Sequence, residues 1–156
     1  MSYYRSDNFQ PCEGIGYRIK RLHQVAYALI ERRFSDPDLS FTQWIALVLL
    51  RGGQVDTCAG LADFTGHDRG ATTRMLDGLE TRGFVIRERD TLDRRIVRLV
   101  LTEAGADACK ALTPRVMDFW NDVLDGFERS EIDRFHAMLD AIQQRVDQMA
   151  ETDTQP

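Results

Sequence analysis

Apolar residues in the first third of the chain recur every three or four positions. Ile15, Ile19, Leu22, Ala26 and Ala28 to Ile30 fall on one face of a helix that begins at Pro11, a residue suited to a first helical turn. Ser35-Asp36-Pro37-Asp38 is expected to end it, because proline cannot continue a helix and Asp favours a turn. Ser40 and Gln43 have capping-box spacing ahead of Phe41–Arg51, a stretch apolar nearly all round and therefore a buried helix, stopped by Gly52-Gly53. Asp56 is the expected cap of a short helix from Thr57 to Phe64. Thr65-Gly66-His67 makes a tight turn, and a second helix runs from Asp68 to Arg82 with Ala71, Met75, Leu76 and Leu79 inward and Gly83 just past its end.

At Phe84 the period drops to two. Phe84 to Arg89 and Arg95 to Leu101 alternate as strands, joined by the turn residues Asp90 to Asp93. Thr102 is then positioned to cap a long helix reaching Phe127. Ser130 opens a last helix whose apolar residues Ile132, Phe135, Leu139, Ile142, Val146 and Met149 are spaced 3,4,3,4,3, a coiled-coil seam. The fold class that follows is mainly α with a small β-hairpin wing: a winged helix-turn-helix flanked by N- and C-terminal helices. The corresponding segments are a flanking helical region (11–35 and 103–150), a winged helix-turn-helix lobe (40–102) and flexible termini (1–10 and 151–156).

Composition changes this picture little. A chain of 156 residues, 43% hydrophobic, is long enough to bury a core without metal or disulfide. Three scattered cysteines, Cys12, Cys58 and Cys109, give neither a disulfide framework nor a zinc site, and the three histidines lack metal-ligand spacing. The polar N-terminal stretch has no apolar core of a signal peptide, and no apolar run approaches a membrane span, so cytoplasmic residence with no membrane partner is the expectation. No phosphate loop, HExxH or GxSxG occurs; no enzymatic activity, cofactor or metal is expected.

Charge changes it more. The net charge is −5, but it is distributed unevenly: +2 over residues 67–101 against −7 over residues 102–156. Arg87, Arg89, Arg94 and Arg95 crowd into the hairpin of an acidic protein. A winged helix-turn-helix reads duplex DNA with its second helix in the major groove and its hairpin on phosphate or the minor groove. Arg69, Thr72, Thr73 and Arg74 occupy the first half of that helix. Arginine holds guanine by two hydrogen bonds, and in a narrow minor groove it reads the negative potential. A solvated basic hairpin is the alternative for the cluster, and an ion pair with Asp77 is the alternative for Arg74.

LSFTQWIALVLL, DRGATTRMLD, LETRGFVIRE, DRR and LTEAG, in this order and spacing between Leu39 and Gly105, resemble the MarR family of bacterial regulators. The resemblance implies a homodimer built from the first and last helices, binding a palindromic DNA site. It implies repression relieved by a small phenolic or other aromatic ligand, or by oxidation. By position, Asp68, Arg69, Gly70, Ala71, Thr72, Thr73 and Arg74 would face the major groove. Arg95 would be the wing arginine, oriented by Asp93, with Arg94 beside it on phosphate. His23, Tyr27 and Trp44 would line the effector pocket; ordinary core or surface roles are the alternative for each. The dimer interface would take Ile15, Ile19, Leu22, Ile132, Phe135, Leu139, Ile142 and Val146, although the C-terminal seam can also pack within one chain. The chain departs from the family at His67 and Thr72, where an aliphatic residue is usual, which would soften packing of the recognition helix.

Two alternatives of other kinds accompany this reading. One is a winged-helix interaction module that never touches DNA. The other keeps DNA binding but makes Cys12 a peroxide switch, against which stands the neighbouring Glu13, a charge that disfavours the thiolate.

Overall fold

The fold was obtained as a computed structural model that describes residues 3–5, 9–34 and 39–153. The expected terminator Ser35 to Asp38 lies outside those residues, as do parts of both termini. The elements, in chain order, are a one-turn 3-10 helix (Pro11–Glu13), α1 (Ile15–Arg33), α2 (Phe41–Arg51), α3 (Cys58–Thr65), α4 (Arg69–Thr81), β1 (Val85–Arg89), β2 (Val97–Leu101), α5 (Glu103–Leu124) and α6 (Arg129–Asp153). Two compact units result, one ending at Met117 and one beginning at Asp118, within α5. The first unit therefore holds α1 together with the winged lobe, whereas the sequence grouped that helix with the C-terminal ones.

In the first unit, the helix at Pro11 is a separate turn, and α1 starts only after Gly14. Its first orphan donor, the Ile15 N–H, is met by the Tyr4 hydroxyl at 2.8 Å. The α2 capping box forms as expected: Gln43 N–H donates to Ser40 Oγ (3.2 Å) and Ser40 N–H to Gln43 Oε1 (3.0 Å). Glu31 of α1 accepts from the Phe41 N–H at 3.1 Å, joining α1 to the start of α2.

The cap of α3 is Thr57 rather than Asp56; its hydroxyl accepts from Gly60 N–H at 3.0 Å. α3 ends on Gly66 at φ +67°, a left-handed position that only glycine takes without strain. At the end of α4, Gly83 N–H reaches Glu80 O and Phe84 N–H reaches Leu79 O. This is a Schellman closure that delivers the chain straight into the hairpin. The hairpin pairs Val85 with Leu101 through to Arg89 with Val97.

Leu47, Leu61, Leu76, Leu79, Val85 and Cys109, all at most 1% exposed, form the heart of this unit. Ala71, expected inside, is exposed; Thr72 takes the buried position at 2% exposure. Leu76 and Leu79 face inward as expected, so only the first-turn position differs: Thr72, one turn before Leu76, packs inward in place of Ala71.

In the second unit, α6 begins at Arg129, not Ser130. The Glu128 carbonyl starts the helix, and Glu131 Oε2 folds back onto the Glu128 N–H at 3.0 Å. The seam alternates between half-buried Ile132, Leu139 and Ile142 and exposed Phe135, Val146 and Met149.

Candidate nucleic-acid interface

The start of α4 is built by Asp68. As N-cap, its carboxylate accepts from Ala71 N–H at 3.0 Å, leaving the other first-turn donors free for an anion. Arg69, Gly70, Ala71, Thr73 and Arg74 are all exposed on this half of the helix. Arg69 stands 3.6 Å from Asp63, an exposed pair of little strength that leaves the guanidinium available. Thr73 donates to Arg69 O at 2.9 Å, and Cys58 Sγ lies 3.4 Å from its hydroxyl. Thr72 does not belong to this surface: its hydroxyl donates back to Asp68 O at 3.0 Å and its side chain is buried. The Arg74–Asp77 pair does not form either. Asp77 is taken by Arg87 at 2.7 Å, with Glu80 on the same guanidinium at 2.5 Å.

The arginine cluster of the sequence therefore separates into two kinds. Arg87 ties β1 to α4. Partial burial works to lower its pKa, but the bonds and charges of Asp77 and Glu80 outweigh that and raise it. Arg89, Arg94 and Arg95 are exposed and make no ion pair among the described residues.

The tip of the wing is held by carboxylates. Asp90 Oδ1 accepts from the N–H groups of Leu92 (2.7 Å) and Asp93 (3.0 Å), and Asp93 Oδ1 accepts from Arg95 N–H at 3.0 Å. Asp93 thus holds Arg95 through its backbone N–H. The Asp93 N–H, then the Arg98 guanidinium and the Leu92 N–H, lower the Asp90 carboxyl from its ordinary 3.8 to about 2. Leu92, at 97% exposure, is the most exposed large apolar residue described.

Arg98 was absent from the sequence expectations. Its Nε is 2.6 Å from Asp90 Oδ2 and its Nη1 bonds Asp56. Both carboxylates raise its pKa, Asp90 most. The local sequence carries no sign of this, since Asp56 lies 42 residues away.

The expected effector residues fall in one unit around an aromatic cluster. Tyr27 lies 5.0 Å from Phe41, and Trp44 stacks on Phe41 at 5.7 Å, both between ring centroids. The Trp44 indole N–H donates to Cys109 O at 3.1 Å, and the Tyr27 hydroxyl bonds that of Thr42. His23 is exposed, one turn away from Tyr27 at 5.8 Å. Of the expected dimer residues, Ile15, Ile19 and Leu22 form an exposed stripe on α1, 43–51% accessible. Cys12 is exposed in the 3-10 turn. Among the described residues no cluster suits a metal ion, and no helix is long and apolar enough to cross a membrane.

The family model for the MarR family matches residues 37–96, the span from before α2 to the tip of the wing. Among solved structures, the chain is similar to wild-type MarR from E. coli in its apo form: 26% identity, 86% of this chain and 98% of that one covered, TM-score 0.72. A MarR-family transcriptional regulator from Rhodococcus sp. RHA1 aligns at 22% identity over 86% of this chain and 96% of that one, TM-score 0.75. BpsR of Bordetella bronchiseptica, whose DNA binding is regulated by 6-hydroxynicotinic acid, aligns at 20% identity over 87% and 97%, TM-score 0.72. The last two likenesses establish the fold.

Proposed function

We propose, from the match of the MarR family model to residues 37–96 and the likeness to apo MarR, that the chain is a MarR-family winged helix-turn-helix regulator that binds DNA, acting as a homodimeric repressor on a palindromic operator and released by a small aromatic ligand. The observation that carries the proposal is the pairing of a free helix N-terminus with a free basic wing. Arg69, Thr73 and Arg74 on α4 reach base edges and phosphate in the major groove, over the Asp68-capped turn with Gly70 and Ala71. Arg95 enters the minor groove and Arg94 takes phosphate. Arg87 and Arg98, already neutralised by carboxylates, do not contribute.

A dimer is supported by the apolar stripe on α1 and the seam of α6, which leave Ile15, Ile19, Leu22, Phe135 and Val146 half exposed to water in one chain. Ile132, Leu139 and Ile142 would complete the interface. The aromatic cluster of Tyr27, Phe41 and Trp44, with His23 at its edge, is the proposed effector site. Ring stacking and a few polar anchors suit an aromatic acid of the kind that regulates BpsR. Such a protein works in the cytoplasm, where its DNA is.

Hydroxyl-radical footprinting on genomic fragments flanking the gene tests the proposal. Two protected half-sites about one helical turn apart, roughly 34 Å, are expected, with protection lost on adding an aromatic acid. A monomer in sedimentation at micromolar concentration, or uniform weak protection, would contradict it.

A further inference from the structure

Arg94 and Arg95, the wing arginines proposed to meet DNA, sit on a loop that would be floppy without a brace. A two-stranded hairpin is marginal by itself, and its tip carries a charged, apolar-poor sequence with nothing buried between Thr91 and Val97. Yet five hydrogen bonds of one network run through it. Arg98 Nη1 bonds Asp56, ahead of α3. Arg98 Nε bonds Asp90, 2.6 Å away. Asp90 holds the N–H groups of Leu92 and Asp93, and Asp93 holds that of Arg95 at 3.0 Å. The Asp56 backbone joins in, its carbonyl accepting from Leu99 N–H at 2.7 Å, and Thr57 bridges Arg98 as a third strand would.

From this juxtaposition we infer that Arg98 is a positioning residue for DNA recognition: it fixes the reach of the wing arginines relative to the recognition helix without touching DNA. The inference rests on the proposed use of the wing on DNA. Its physical content is pre-organisation. A guanidinium forked between two carboxylates fixes the angle between the wing root, at Asp56, and the wing tip, at Asp90. Asp56 directly precedes α3, which packs against α4, so the brace refers the tip to the same frame that carries Arg69 and Arg74. Ordering the tip beforehand removes an entropic cost that Arg94 and Arg95 would otherwise meet on binding. The Arg98 charge is balanced by Asp56 and Asp90, which makes it a poor phosphate ligand but a good strut.

A double-mutant cycle on DNA selected by the protein from a random pool tests this. Arg95→Ala, Arg98→Ala and the double variant are compared by fluorescence anisotropy, with thermal unfolding as a control for folding. Arg98→Ala is expected to weaken specific binding on the order of 3- to 30-fold, and to weaken Arg95→Ala by a smaller factor than it weakens wild type, because part of its effect passes through Arg95. The salt slope of the Arg95→Ala protein is expected to be unchanged by adding Arg98→Ala, since no phosphate contact is lost with it. Arg98→Lys, which keeps the charge but not the fork, is expected to restore only part of the affinity. Additive losses, or a shallower slope in the double variant, would overturn the inference and make Arg98 a direct DNA contact. Wild-type affinity in Arg98→Ala would overturn it too. Should Arg98→Ala lower the unfolding temperature sharply, Arg98→Met, which keeps the length of the stem, repeats the cycle in a folded background. An Arg95→Ala protein that binds like wild type would instead sink the reading of the wing itself.

Discussion

A β-carbon placed on Gly105 would stand 2.2 Å from the carbonyl oxygen of Phe84, and 2.8 Å from Leu101 Cδ1. The first turn of α5 is thus pressed against the start of β1, where Thr102 also donates to Gly83 O at 2.7 Å and accepts from Gly105 N–H at 3.0 Å. Gly105→Ala is expected to destabilise the protein by about 1–3 kcal/mol, because the obstacle is backbone and cannot turn aside. Gly78→Ala, in the middle of α4 with only Gln43 Nε2 at 3.8 Å, is expected to do the reverse and add up to about 1 kcal/mol. Urea unfolding checks both: the midpoints should move in opposite directions at an unchanged m-value.

Asp68 caps the recognition helix through Ala71 N–H. Asp68→Ala is expected to cost about 1 kcal/mol of stability, read as a Tm lower by about 2–4 °C. Asp68→Asn, which keeps the acceptor, should lie within a few tenths of a kcal/mol of wild type.

Thr72 gives a sharper contrast between the sequence and the structure. Its hydroxyl bonds Asp68 O, a carbonyl that also accepts from the Thr72 N–H at 2.9 Å. Thr72→Val therefore replaces a redundant bond by a methyl group in an apolar setting. Stability is expected to change by less than about 1 kcal/mol, and DNA specificity not at all. A changed base preference in Thr72→Val would mean that the side chain reaches the groove.

This residue shows what the sequence made legible and what it did not. Hydrophobic period, the Ser40–Gln43 box, Gly66, Gly83 and the switch to strand alternation are local signals, and they placed every helix and both strands of the winged lobe. Which first-turn side chain packs inward is less local. A threonine at a position that an aliphatic residue could fill looks polar and outward in sequence, but its hydroxyl satisfies itself on its own helix, so Thr72 packs inward and Ala71 is left outside. Asp56 differs for another reason: it is a good cap by type, but Arg98, 42 residues on, claims its carboxylate and Thr57 caps α3. Asp93 holds Arg95, two residues on, through the Arg95 N–H. Nothing local distinguishes Arg87 and Arg98, which hold the wing together, from Arg94 and Arg95, which are left free.

The wing brace predicts an acid response. The Asp90 carboxyl is lowered to about 2 in the folded chain, from 3.8. A lowered pKa means that its contribution is present above the unfolded value and is lost as pH falls through the folded one, here between roughly 4 and 2. Carbon-detected NMR titration should find Asp90 ionised at pH 3. In Arg98→Ala its pKa should rise but stay below 3.8, because the Leu92 and Asp93 N–H groups still hold it.

The most direct test of the central claim is the salt dependence of binding by wild type and Arg95→Ala to DNA from immediately upstream of the gene, with scrambled DNA as control. Sequence-dependent binding is expected, with Arg95→Ala weakening it and making the log–log salt slope shallower, because one cation that displaces counterions from the minor groove is lost. Equal affinities and equal slopes for the two proteins at every salt concentration would contradict a DNA-reading wing.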